Sequence, residues 1–231
     1  MRFSSRVCEL TRLRVLMLGT VASLVAVSMP AEAQERRGSV YVLGGPTVVQ
    51  QDGPRGESSQ TYRTAPGGTT VGWFVGGGVF VARAVSADFE FSSTGVMRAT
   101  EPSRYFMTFN EERRDRMFVA GLRLHVPPGR NWDVEPVAGF LVVRGTAWSQ
   151  TERSSGINPF QIVKDPRQRE TLPTRYGFAA GIDARFGSAR VAVVPSLRMF
   201  WANTPEKLTW MIPGGIWSTT FRAGVALRIA M

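Results

Sequence analysis

The sequence predicts an all-β fold, an eight-stranded antiparallel up-and-down transmembrane β-barrel, and three observations predict it. Segment after segment alternates apolar and polar side chains with period two, and no amphipathic helix of useful length interrupts them. The connections between these segments are alternately long and short. The charged residues fall on the strand face opposite the large apolar ones, the inversion that lipid solvation of an outer wall demands and a water-soluble barrel does not show.

The chain has 231 residues, 43% hydrophobic and 20% charged, with 1 Cys and 1 His. A single cysteine excludes an intramolecular disulfide, and a single histidine excludes a multi-histidine metal site. No apolar run of about 20 residues follows the N-terminal region, so a multi-span helical membrane protein is excluded. Arg2, Arg6, Arg12 and Arg14 precede an apolar run over 15–29 that ends at Pro30, Ala31, Glu32 and Ala33. A basic head, an apolar centre and an A-x-A exit predict a cleaved signal peptide over 1–33 and a barrel domain over 34–231. Cys8 lies ahead of the apolar run and is no lipoprotein acylation site. The segment 34–231 carries 24 basic and 16 acidic residues, a charge of +8. Export argues against nucleic acid as the partner of that charge.

Eight strands are predicted, over 38–46, 70–83, 85–95, 115–126, 132–147, 174–186, 189–201 and 217–231. The clearest runs from Tyr176 to Phe186, with Phe178, Ile182 and Phe186 on one face and Asp183 and Arg185 on the other. The third sets Phe89 and Phe91 against Asp88 and Glu90, and the fourth sets Leu122 against Arg123 and His125. The seventh sets Leu197 and Trp201 against Arg198, and the last sets Phe221 and Leu227 against Arg222 and Arg228. Long connections fall at 47–69, 96–114, 148–173 and 202–216; short ones fall at Ala84, at 127–131 and at Gly187–Ser188. Four long loops at one end and three tight turns with both termini at the other give the parity of an even-stranded barrel.

Two groups of site residues follow from the alternation. Asp88, Glu90, Arg123, Glu135, Asp183, Arg185, Arg198 and Arg222 are expected in the lumen as one ion network, joined by Arg190 and Arg228, with glycines such as Gly76, Gly121 and Gly181 making room. Unpaired charges in a narrow lumen are costly, and eight strands leave space only for side chains, so the network is read as a plug in place of a hydrophobic core. A selectivity lining is the functional counterpart. Trp73, Trp148, Trp201 and Trp217 at the long-loop ends, Trp132 at a short-turn end, and Tyr176 point outward as an aromatic girdle at the membrane interfaces. His125 is the one candidate general base. It projects inward at the short-turn end with no Ser two residues on, and is read as a packed histidine. No nucleophile elbow, HExxH pair or phosphate loop is present, so no catalytic, cofactor-binding or metal site is expected.

On the signal peptide, the loop alternation, the segment Glu135-Pro-Val-Ala-Gly-Phe140 and the final strand over 221–231, the chain resembles the small eight-stranded outer-membrane barrels of Gram-negative bacteria, the OmpA-type and opacity-like group. The resemblance covers the whole segment after residue 33 and implies an outer-membrane location among outer-membrane lipid and lipopolysaccharide. The last strand resembles the C-terminal signal read by the barrel assembly machinery. No peptidoglycan-binding domain is expected after it. The function expected is that of a non-enzymatic structural surface protein, without cofactor, whose long loops serve adhesion or bind an extracellular partner of unknown identity. The alternatives are a passive, porin-like small-solute pore and, further off, an enzyme that modifies lipid A.

Overall fold

Period-two sequences can satisfy their backbone hydrogen bonds in lipid only by pairing into a closed sheet, and that is how these strands pair. The computed structural model describes residues 38–51, 68–102, 107–126, 132–155, 158–188, 190–203 and 217–231. The signal peptide predicted over 1–33, most of the connections predicted at 47–69 and 202–216, and the turn at 127–131 lie outside the described residues. Eleven strands are present among the described residues: β1 (Val40–Gln51), β2 (Gly68–Ala82), β3 (Val85–Ser93), β4 (Met97–Pro102), β5 (Met107–Leu124), β6 (Trp132–Ser155), β7 (Asn158–Lys164), β8 (Gln168–Thr171), β9 (Arg175–Gly187), β10 (Val191–Asn203) and β11 (Trp217–Ala230).

Eight of them close a ring, β1-β2-β3-β5-β6-β9-β10-β11 and back to β1, antiparallel at every step. The register fixes the shape. Crossing strand by strand from Tyr41 through Gly78, Asp88, Gly121, Gly139, Ala179, Phe200 and Thr220 returns to β1 at Gln51, a stagger of ten residues. At about 3.3 Å per residue and about 4.8 Å between strands, that stagger tilts the strands by roughly 40° to the barrel axis. The tight turns sit where the sequence places them: Arg83 and Ala84 join β2 to β3, and Gly187, at φ +135°, leads out of β9 in a conformation that side chains rarely adopt.

The other three strands correct the loop assignment. Residues 96–114 and 148–173, expected as loops, contain β4, β7 and β8 and the outer parts of β5 and β6. β5 and β6 stay paired from Arg123·Val137 out to Met107·Arg153; β4 adds to β5, and β7 and β8 add to β6. This extension stands beyond the ring at the long-loop end. Pairs on it such as Arg98–Glu112, Arg153–Asp165 and Lys164–Glu152 lie in water on its surface.

The ring is inverted relative to a soluble barrel. Leu197 is 58% exposed while the next residue, Arg198, is 4% exposed; Phe89 and Glu90 differ in the same way, at 56% and 7%. Val71, Val75, Leu122, Phe140, Phe178, Val225 and Leu227 continue the exposed apolar wall. Inside, the lumen is not lined by charge and small residues alone. Tyr41, Leu43, Phe74, Phe80, Val194 and Ala226 form one buried apolar cluster, and Met117, Val119, Leu141, Val143, Ala179, Phe200 and Ala202 form another. Buried charged and buried apolar side chains therefore share the barrel interior, with arginines stacked on the rings of Tyr41 and Phe74.

Candidate functional site in the charged lumen

Residues i and i+2 share a strand face, so each inward position stacks its side chain over the next along the lumen. Arg123 on β5 lies at the centre of the result. Its Nε donates to Asp88 Oδ2 on β3 at 2.6 Å, and its Nη1 donates to Glu135 Oε2 on β6 at 2.8 Å and to Asp183 Oδ2 on β9 at 2.5 Å. One guanidinium thus joins three walls of the ring. Arg198 on β10 donates through Nη2 to Asp183 Oδ2 at 2.8 Å, and its Nε lies 3.7 Å from Glu90. Arg222 on β11 reaches Glu90 Oε1 at 2.7 Å. The rest of its guanidinium rests on aromatic faces, 4.4 Å from the Phe74 ring centre and 5.3 Å from that of Phe200.

Toward the short turns, Arg228 on β11 donates to Glu135 Oε1 at 2.6 Å and stacks 3.7 Å over the Tyr41 ring. Arg185 pairs with Asp133 on β6, Nε to Oδ2 at 2.7 Å. Tyr41 donates to Asp88 and lies 2.9 Å from Ser86 Oγ. Arg190 does not join this network. It is exposed beside the β9–β10 turn, where its carbonyl accepts from Ala230 N, because the short turn ends the alternation before that residue.

A second charged layer lies near the long-loop end. Arg113 grips Asp115 with two bonds, at 2.9 and 2.7 Å, and Arg175 on β9 donates to the same carboxylate at 2.7 Å and to Ser218 at 3.0 Å. All three ions are buried. Sequence reasoning did not single them out, because Arg113 falls in a stretch expected as loop and Asp115 and Arg175 stand at strand starts. Extending the β5 alternation two more residues outward would have placed Arg113 and Asp115 beside Arg123 on the inner face.

His125 ends in a geometry the sequence did not suggest. Its Nε2 lies 2.9 Å from Ser86 Oγ and its Nδ1 lies 2.8 Å from Glu135 Oε1. Ser, His and Glu in that order match the connectivity of a nucleophile relay. The surroundings do not suit one. Ser86 and Glu135 are 0% exposed, Ser86 donates at 2.6 Å to Asp88, and Arg228 binds the same Glu135 oxygen that faces His125. A substrate carbonyl has no route to Oγ, and the hydroxyl proton has a carboxylate acceptor already. The trio is a buried clasp between β3, β5 and β6.

The outward aromatics fall into two settings. Trp73, Trp132 and Tyr176 are exposed on the outer wall, and Trp201 is half-buried there. Trp148 stands on the extension instead, opposite Glu112 and Arg169, with the Arg167 guanidinium 5.4 Å from its ring. Trp217 opens β11, and its side chain lies outside the described residues. Among the described residues no group of His, Cys, Asp and Glu is arranged to hold a metal ion.

No protein-family model and no curated protein matches the sequence. Among solved structures, the chain is similar to Ail, the attachment invasion locus protein of Yersinia pestis, at 11% identity and a TM-score of 0.43 over 84% of this chain and 99% of that one. It is similar to Neisserial surface protein A at 7% identity and 0.43, over 82% and 96%. It is similar to the outer membrane protein OprG from Pseudomonas aeruginosa at 8% identity and 0.45, over 86% and 96%. The closed ring, its ten-residue stagger and its apolar outer wall around a charged interior make the chain an eight-stranded up-and-down transmembrane β-barrel, resembling the small outer-membrane barrels.

Proposed function

We propose that this chain is a non-enzymatic outer-membrane barrel, sealed by its own lumen network, that presents the β4–β8 extension to an extracellular partner. The observation that carries this reading is Arg123. Its bonds to Asp88, Glu135 and Asp183 tie β5 to β3, β6 and β9 within the barrel interior. The space beside it, lined by Leu43, Glu90, Val119, Val137, Ala179 and Arg198, amounts to about 10 Å³, room for a single water. A continuous solute path needs a column of such spaces, and the apolar layer of Leu141 and Phe200 lies across it.

The extension supports the surface role. It carries ion pairs on hydrogen-bonded strands, whose register sets the spacing of the displayed charges as free loops do not. An outer-membrane location, delivery by a cleaved signal over 1–33 and insertion by the barrel assembly machinery belong to the same reading. Liposome swelling in sugar solutions tests it. Vesicles holding the folded barrel are expected to swell no faster than empty vesicles, and swelling that scales with protein content would overturn the sealed lumen in favour of a small-solute pore.

A further inference from the structure

The outer wall of the β5–β6 hairpin changes chemistry within a single step. Moving toward the long-loop end, the outward pairs are Ala120·Phe140, then Phe118·Val142, then Arg116·Arg144. Both arginines are exposed on the face that carries the apolar wall. Directly opposed side chains on one sheet face have Cβ atoms about 5 Å apart, where like charges repel. Among the described residues neither arginine has an ion-pair partner, and Glu112, further out on the same face, is held by Arg98 at 3.1 Å and by Arg167.

The step coincides with a row of aromatics. Trp73 pairs across Ser93 with Arg116, its ring lies 5.3 Å from that of Phe91, and Phe91 lies 4.8 Å from Phe118. Aromatic rings gather where acyl chain gives way to headgroup. Two opposed guanidinium groups just beyond such a row face the depth at which lipid phosphates lie, and their planar forks match a phosphate's oxygens.

We infer that Arg116 and Arg144 together bind the phosphate monoester of an outer-leaflet lipid headgroup, with the attached acyl chains lying on Phe118, Val142 and Phe140. The lipid is the source rather than free phosphate because the apolar strip continues directly from the arginine pair. The repulsion between the two cations is then relieved by the ligand, not by the protein. The inference rests on the outer wall facing lipid and is independent of whether the lumen conducts.

The full folded barrel in uncharged maltoside micelles is titrated with bisphosphorylated lipid A, with the same lipid stripped of its phosphates, and with inorganic phosphate alone. Retention is read by native mass spectrometry, and stability by the urea midpoint. The phosphorylated lipid is expected to be retained and the stripped lipid released. Arg116→Gln and Arg144→Gln should each weaken retention about fivefold, and the pair about 25-fold, the worth of one and two surface arginines toward anionic lipid. Arg144→Glu guards against a misfolding variant, since it converts the repulsion into a cross-strand pair. It should be more stable than wild type without lipid A and less stable with it. Equal retention by wild type and the double variant, or saturation by inorganic phosphate alone, would overturn the inference. Tryptophan quenching by brominated lipid reports membrane insertion separately. Its loss would overturn the lipid-facing wall and the inference together, whereas its persistence beside equal retention would overturn the inference alone.

Discussion

Arg222 on β11 and Glu90 on β3 meet 2.7 Å apart across the lumen, although β1 and β2 separate their strands along the wall. Such a contact ties opposite sides of the ring directly, which no backbone ladder can do. Both groups are buried, so removing either leaves the other without its nearest counter-charge.

Glu90→Ala is expected to lower barrel stability by about 3–5 kcal/mol, because it leaves the Arg222 charge buried and weakens the hold on Arg198. Asp165→Ala removes a partner of the solvated Arg153 and should cost only about 0–1 kcal/mol. Urea unfolding in lipid vesicles compares them. Equal, small shifts would mean that the lumen charges are solvated.

Gly78 faces the Tyr41–Asp88 contact. A Cβ built there would lie 2.4 Å from Asp88 Oδ1 and 2.6 Å from the Tyr41 hydroxyl. Gly78→Ala should therefore push these groups apart and destabilise the barrel by about 1–3 kcal/mol, as overpacking does. An unchanged urea midpoint would show that the lumen side chains shift freely, contrary to a locked network.

The relay-like trio of Ser86, His125 and Glu135 makes a chemical prediction. A fluorophosphonate probe should leave Ser86 unlabelled in the folded barrel, since the hydroxyl is enclosed and bonded to Asp88 at 2.6 Å. Adduct mass on the peptide containing Ser86, found without denaturant, would reopen the enzymatic reading.

The ring was legible in the sequence because lipid and lumen impose opposite solvents on alternate residues. Leu197 and Arg198, or Phe89 and Glu90, announce a strand and its facing in one step. The extension was not, because polar and charged residues fall on both of its faces. Thr108, Asn110 and Glu112 on one face and Phe109, Glu111 and Arg113 on the other give no clean period-two contrast, so β4, β7 and β8 read as loop. Within the lumen, alternation says which residues share a face but not their depth. The proximity of Ser86 to His125, 39 residues apart in sequence, follows from register. So does the choice of Asp115 as the partner of Arg175, 60 residues away.

The sealed lumen is the central claim, and single-channel recording in planar bilayers tests it most directly. Wild-type barrel is expected to give a silent trace at moderate voltage. A variant with Arg123→Ala and Leu141→Ala, which removes the three-way tie and part of the apolar layer, is expected to flicker. Steady ohmic openings from the wild-type protein, unchanged in the variant, would contradict the account.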